Sequence, residues 1–204
     1  MRINHEKKFI FIHVPHTGGT SLRNFLNQSV GTEKYKHKHA PVKEVEQKYR
    51  DYTKFSIARN HVDWLHSGYK YCQKRNGRKW FPKCYNFAKD HSFKEYVDWY
   101  LSYNTENMSG DYSMQFIPRR IGFFYYMGEK CEDVDHVIWH GKNGFENLER
   151  VLKEATGISN TDSFPHNNKN VRNRSSVTYS PETEEMIKRH YEEEIQYFNQ
   201  NVCQ

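Results

Sequence analysis

The segment Val14-Pro15-His16-Thr17-Gly18-Gly19-Thr20-Ser21-Leu22 gathers residue types suited to holding a tetrahedral anion. Two adjacent glycines let the backbone turn tightly and point successive N–H groups inward. Thr17, Thr20 and Ser21 add hydroxyl donors, and a helix opening after them adds the partial positive charge of its N-terminus. Gly-Gly alone is an ordinary turn. With an apolar run before it and helical spacing after it, the same stretch, Pro15 through Ser21, reads as a phosphate or sulfate site. It is not the nucleoside-triphosphate loop GxxxxGK[ST], because no lysine precedes Thr20 or Ser21. Kinase or ATPase chemistry is disfavoured on that ground.

Two further groups carry chemistry. Arg59 closes a second apolar run, and an arginine at the carboxyl end of a parallel strand stands where such sheets bind ligands. Its fork suits a phosphate, with a structural salt bridge as the competing reading. Tyr35-Lys36-His37-Lys38-His39-Ala40-Pro41 offers two of the chain's 12 histidines, the side chains that titrate nearest neutrality. His37 and His39 lack a third ligand at any telling spacing, so no metal is expected.

The elements that must position these residues follow from apolar periodicity. Phe9–Val14 is an apolar run of strand length, and Leu22, Phe25 and Leu26 recur at helical spacing after the loop. Pro41 to about Arg50 reads as a polar helix, Thr53–Ala58 as a second buried strand, and His61 to Gln73 as a helix with Val62, Leu65 and Tyr69 inward. Residues 74–90 read as an irregular excursion and Ser92–Tyr103 as a helix. Val134–Trp139 reads as a strand, and Gly144–Thr156 as a helix stopped by Gly157. Residues 159–177 read as a basic loop, and Ser180-Pro181 opens one last helix with Ser180 as its cap. Strands alternating with helices give an α/β fold with a mostly parallel sheet, in one domain over residues 1–204.

Composition sets limits. The net charge of +6 fits a solvated basic surface or a polyanionic ligand, and it is scattered without the basic block or recognition motif that would point to nucleic acid. Aromatic residues make up 16% of the chain, enough to supply a core although only 36% is hydrophobic. Cys72, Cys84, Cys131 and Cys203 show no CxxC pair, and free thiols in a reducing compartment are expected. There is no leader-like or membrane-spanning run, so a soluble, cytoplasmic protein is expected. Oligomeric state is left open.

With these residues in place, a resemblance becomes specific. Pro15–Leu22 resembles the 5′-phosphosulfate loop of sulfotransferases, Pro-Lys-Thr-Gly-Gly-Thr-Ser. Thr53–Asn60 followed by Ser67 resembles their 3′-phosphate motif, in which a serine follows the arginine by eight residues. Asp135 with Phe145-Glu146-Asn147-Leu148, His166–Lys169 and the segment Tyr179–Phe198 extend the similarity over most of the chain. It is nearest the branch holding carbohydrate 2-O-sulfotransferases and small bacterial and viral relatives.

The resemblance implies a P-loop-like three-layer fold and 3′-phosphoadenosine-5′-phosphosulfate (PAPS) as donor, with no metal required. The acceptor it implies is a hydroxyl, on a carbohydrate. It makes His39 the base, with His37 at the place of a second histidine, and it puts Gln115 near the acceptor. Lys169 and Arg172 fall in the loop that closes over the 3′-phosphate. His16 stands where the family has lysine. An imidazole there can donate to the bridging oxygen only when protonated or in the right tautomer, so either a pH-sensitive enzyme or a donor-binding protein without turnover results. Residues 74–90 and 103–127 are expected to shape the acceptor cleft.

Overall fold

The computed structural model describes residues 1–74, 82–102, 122–141, 144–164 and 179–202. Its centre is a six-stranded sheet in the order β3-β1-β2-β4-β5-β6. The strands are β1 (Arg2–Asn4), β2 (Phe9–Ile12), β3 (Glu33–Lys34), β4 (Thr53–Arg59), β5 (His136–Gly141) and β6 (Gly144–Phe145). Only β2, β4 and β5 run parallel; β1 is antiparallel to β2 and β3, and β6 to β5. The mostly parallel sheet expected from the sequence is therefore corrected to a mixed one. The three strands that sequence reading missed are two or three residues long, too short to show a period.

Helices cover both faces. Phe9, Phe11, Phe55, Ile57 and Ile138 pack against Leu22, Phe25 and Leu26 of α1 (Gly19–Ser29) and Val151 and Leu152 of the helix Leu148–Thr156. Ile10, Ile12 and Ala58 point the other way, onto Trp64 of α2 (His61–Cys72), Phe123 and Phe198. The alternation follows from the pleat, and continuous burial on both faces explains why these strands read as unbroken apolar runs. A third cluster joins α2 to α3 (Pro82–Ala88), α4 (Phe93–Ser102) and α7 (Pro181–His190) through Leu65, Tyr69, Cys84, Tyr96, Tyr100 and Ile187. α5 (Phe124–Met127), α6 (Leu148–Thr156) and α8 (Glu192–Asn201) complete the described helices.

Several boundaries moved for physical reasons. Residues 42–49 form two short 3₁₀ turns in place of an α-helix; Val42 is the one buried residue in them, so no apolar face holds a longer helix down. Part of the 74–90 excursion is helical, as α3. α6 starts at Leu148, not Gly144, because Asn147 bends the chain first: its side chain accepts from Trp139 N–H (2.8 Å) and donates to Val137 C=O (2.9 Å). Gly157 ends α6 in the left-handed region at φ 72°, as glycine does at a helix C-terminus. The last helix is broken at Tyr191, whose φ and ψ leave the helical region.

The buried Glu194 of α8 accepts from His61 Nε2 (2.7 Å) and from the N–H groups of Phe123 and Phe124 (2.9 and 2.7 Å). That fixes the start of α2, immediately after Arg59. Cys72, Cys84 and Cys131 are buried. Among the described residues no helix is long and apolar enough to cross a membrane.

Candidate functional site

The segment between β2 and α1 is held by its carbonyls. Trp64 Nε1–H donates to Pro15 C=O (2.7 Å), an Arg59 guanidinium nitrogen to His16 C=O (3.4 Å), and His140 Nδ1–H to Thr17 C=O (2.8 Å). The Thr17 hydroxyl donates to Val14 C=O (2.9 Å), so it serves the loop's own shape and is not offered to a ligand. Ser21 N–H closes the turn onto Gly18 C=O (3.0 Å). Thr17 is completely buried, yet no backbone bond among the described residues uses the N–H of Thr17 or Gly18. A buried N–H without an acceptor is rare, and an anion is a partner that satisfies it.

Both glycines are required by contact. Gly18 lies at φ 94°, and a Cβ there would sit 2.8 Å from the Phe145 ring. A Cβ at Gly19 would overlap the imidazole of His13. α1 has no side-chain cap and no acid in its first turn, whereas Asn60 caps α2 and Ser180 caps α7. Its first N–H groups and positive dipole end are thus left for an anion. His16 itself is at φ 63°, which turns the chain so that its ring meets Tyr71 edge to face at 5.1 Å.

Arg59 ends β4 beside this loop and is 7% exposed. Besides its contact to His16 C=O, it faces Asp63 at 3.7 Å. Asp63, Ser67 and Tyr71 are spaced four apart on α2 and share one helix face. Asp63 touches Arg59 and Tyr71 touches His16, so Ser67, half-buried between them, looks onto the same ground. Tyr179 donates its hydroxyl to Asp63 (3.4 Å), tying the described end of the basic loop to this face.

On the other flank, His39 donates Nδ1–H to His13 C=O at 2.8 Å, and the two rings meet edge to face at 4.7 Å. That bond fixes the tautomer and leaves the lone pair on Nε2. His13 is 3% exposed, and burial, aided by the neighbouring His39 and Lys38, pushes its pKa down to about 2. It stays neutral. His37 is not brought to the site: its exposed ring faces Glu44 at 3.4 Å. Lys36 is drawn off to Glu46 at 3.0 Å, while Lys38, whose pKa is lowered by burial and then by Arg23, lies within electrostatic reach of His13.

Lys169, Arg172 and Gln115 lie outside the described residues, as does most of the expected acceptor cleft. Thr20 is exposed and Ser21 half-buried at the start of α1, and Pro15 is buried beneath the loop. Four residues of this neighbourhood escaped sequence reading: His13, Asp63, Tyr71 and His140. The four-residue stripe on α2 is a signal that would have found Asp63 and Tyr71; nothing local marks His140. Among the described residues no cluster of His, Cys, Asp and Glu is arranged to hold a metal.

These features define a class: a mixed α/β protein whose first strand-to-helix turn is a paired-glycine loop, with an arginine closing the adjacent parallel strand. The model of the sulfotransferase family matches residues 1–201, and the chain belongs to that family. No curated protein and no solved structure matched it.

Proposed function

We propose that this protein transfers the sulfuryl group of PAPS to a hydroxyl of a carbohydrate acceptor, with His39 as general base. The observation that carries the reading is the meeting of the 13–21 loop, Arg59 and an Nδ1-anchored His39 around one end of the parallel strands. In this reading strand, loop and helix serve in the P-loop manner. The loop's N–H groups and the α1 N-terminus suit the 5′-phosphosulfate, and Arg59 with Ser67 suits the 3′-phosphate, helped by Lys169 and Arg172. Gln115 sits with the acceptor in this reading. The buried cysteines, reduced in this reading, suit a cytoplasmic setting.

In the reaction the acceptor oxygen attacks sulfur while the bond from sulfur to the bridging phosphate oxygen breaks. The acceptor proton passes to His39 Nε2, and the electron pair leaves with adenosine 3′,5′-bisphosphate. A protonated His16 donates to that bridging oxygen, in the role lysine holds in the family pattern. No step uses a metal.

A reading without turnover, a donor-binding protein, is favoured only by the replacement of that lysine by His16. One experiment separates the two. The protein is incubated with PAPS and a mixed glycan panel, and release of the bisphosphate is followed. Turnover that depends on an added acceptor supports the enzyme; binding of the bisphosphate without turnover on any acceptor supports the binder. Stabilisation by ATP with magnesium but not by the bisphosphate would remove both.

A further inference from the structure

We infer that Trp64 and His140 are positioning residues that aim the loop's N–H groups at the donor's 5′ anion. The inference rests on the reading above only for the identity of that anion. The argument is one of peptide geometry. A trans peptide holds its C=O and the following N–H in one plane and pointing in opposite directions, and the described bonds are all trans. A side chain that grips a carbonyl therefore also sets where the next residue's N–H points.

Three consecutive carbonyls are gripped in this way. Trp64 holds Pro15 C=O and so turns the His16 N–H; Arg59 holds His16 C=O and turns the Thr17 N–H; His140 holds Thr17 C=O and turns the Gly18 N–H. The two shortest grips, 2.7 and 2.8 Å, come from buried rings that have no reason to approach ligand themselves. Trp64 is wholly buried and stacks on Phe123 at 4.2 Å; His140 is 6% exposed and stacks on Phe145 at 4.5 Å. Packing has thus fixed both donors before any ligand arrives.

The preorganisation matters because the left-handed residues His16 and Gly18 alternate with Thr17, and a peptide between such residues can flip. A flip would present a carbonyl oxygen to the anion in place of an N–H. The two rings block that state, which is how they act on affinity and rate without touching the substrate.

The test compares Trp64→Phe, which retains an aromatic ring over Phe123 but loses the N–H, with His140→Leu and His140→Asn. An asparagine amide reaches nearly the same point as Nδ1 and can restore the bond. Binding of adenosine 3′,5′-bisphosphate, adenosine 3′-monophosphate and inorganic pyrophosphate is measured by calorimetry, with melting temperature as the folding control. Trp64→Phe and His140→Leu should each lose about tenfold in affinity for the bisphosphate and less than about twofold for the 3′-monophosphate, with His140→Asn recovering most of the loss.

Equal losses on both nucleotides, or lowered melting temperature with unchanged binding, overturns the positioning role and leaves the donor assignment standing. If the wild type ignores the bisphosphate but binds pyrophosphate, with the same selective loss in the variants, the positioning role stands and the donor assignment falls. If no anion binds the wild type, both fall. Should Trp64→Phe not fold, the His140 pair decides.

Discussion

His39 donates its Nδ1–H to the backbone carbonyl of His13 at 2.8 Å while its ring stands edge-on to the His13 ring. A backbone carbonyl here does what an orienting carboxylate does in histidine bases: it selects the tautomer and the ring plane. It does so without adding negative charge next to an anionic donor. Replacing His39 by alanine should lower turnover by about 10²- to 10⁴-fold with bisphosphate affinity unchanged. Acceptor-dependent release of the bisphosphate, beside calorimetric binding, checks this. Unchanged turnover would remove His39 from the mechanism.

A histidine acid and a histidine base in one site give a pH profile with two limbs. Activity rises with pH as His39 loses its proton and falls as His16 loses its own, so the wild type should show a narrow bell. In His16→Lys the donor stays charged far above neutrality, because a lysine ordinarily titrates near pH 10.4. The falling limb should then move to alkaline pH while the rising limb stays in place. Rates measured between about pH 5.5 and 8.5 decide it. Two profiles of the same shape would mean that His16 is not the leaving-group donor.

Asp63 sits on Arg59 at 3.7 Å, on ground that a 3′-phosphate would occupy. A carboxylate there competes with the phosphate for the same guanidinium. Asp63→Asn should tighten binding of the bisphosphate by about two- to fivefold, the scale of a partly exposed ion pair. Adenosine 5′-monophosphate, which has no 3′-phosphate, should be unaffected. A loss of bisphosphate affinity would instead make Asp63 a support that aims Arg59.

How much of this was legible depended on range. The paired-glycine loop, Arg59 at the strand end and the strands that carry them were readable because each is marked locally: paired glycines, a charge ending an apolar run, a change of period. The grips were not. Trp64 reaches Pro15 from 49 residues away and His140 reaches Thr17 from 123 residues away, and neither partner betrays the other in sequence. Short elements failed for a related reason. β3 and β6 hold two residues each, so only their pairing with β1 and β5 makes them strands. The polar stretch after Pro41 was misread because helix-forming residues without a buried stripe have nothing to pack on.

Gly19 and His13 form a lock that can be opened from either side. Alanine at Gly19 places a Cβ inside the His13 imidazole, so Gly19→Ala should cost about 1–3 kcal/mol of stability. His13→Ala removes the obstacle at the cost of a cavity. If overlap is the cause, the double variant should be less destabilised than the sum of the two singles, by about 1 kcal/mol or more. Chemical denaturation of the four proteins measures the coupling. Strict additivity would place the strain of Gly19→Ala elsewhere in the loop.

His13 also makes a claim about acid. Its folded pKa is pushed down to about 2 by burial, with His39 and Lys38 adding to the effect. In the unfolded chain an ordinary histidine titrates near about 6.5, so the unfolded state takes up a proton first as pH falls. The stability held by neutral His13 is complete above that value. It is lost as pH drops from about 6.5 towards 2, at up to about 1.4 kcal/mol per pH unit. His13→Leu, close in volume and unable to titrate, should lose that part of the acid sensitivity. Its melting temperature between about pH 6.5 and 4.5 should fall less steeply than the wild type's. Parallel curves for the two proteins would show that the imidazole is hydrated and charged in the fold, and with it the account of His39's dry, neutral neighbour would go.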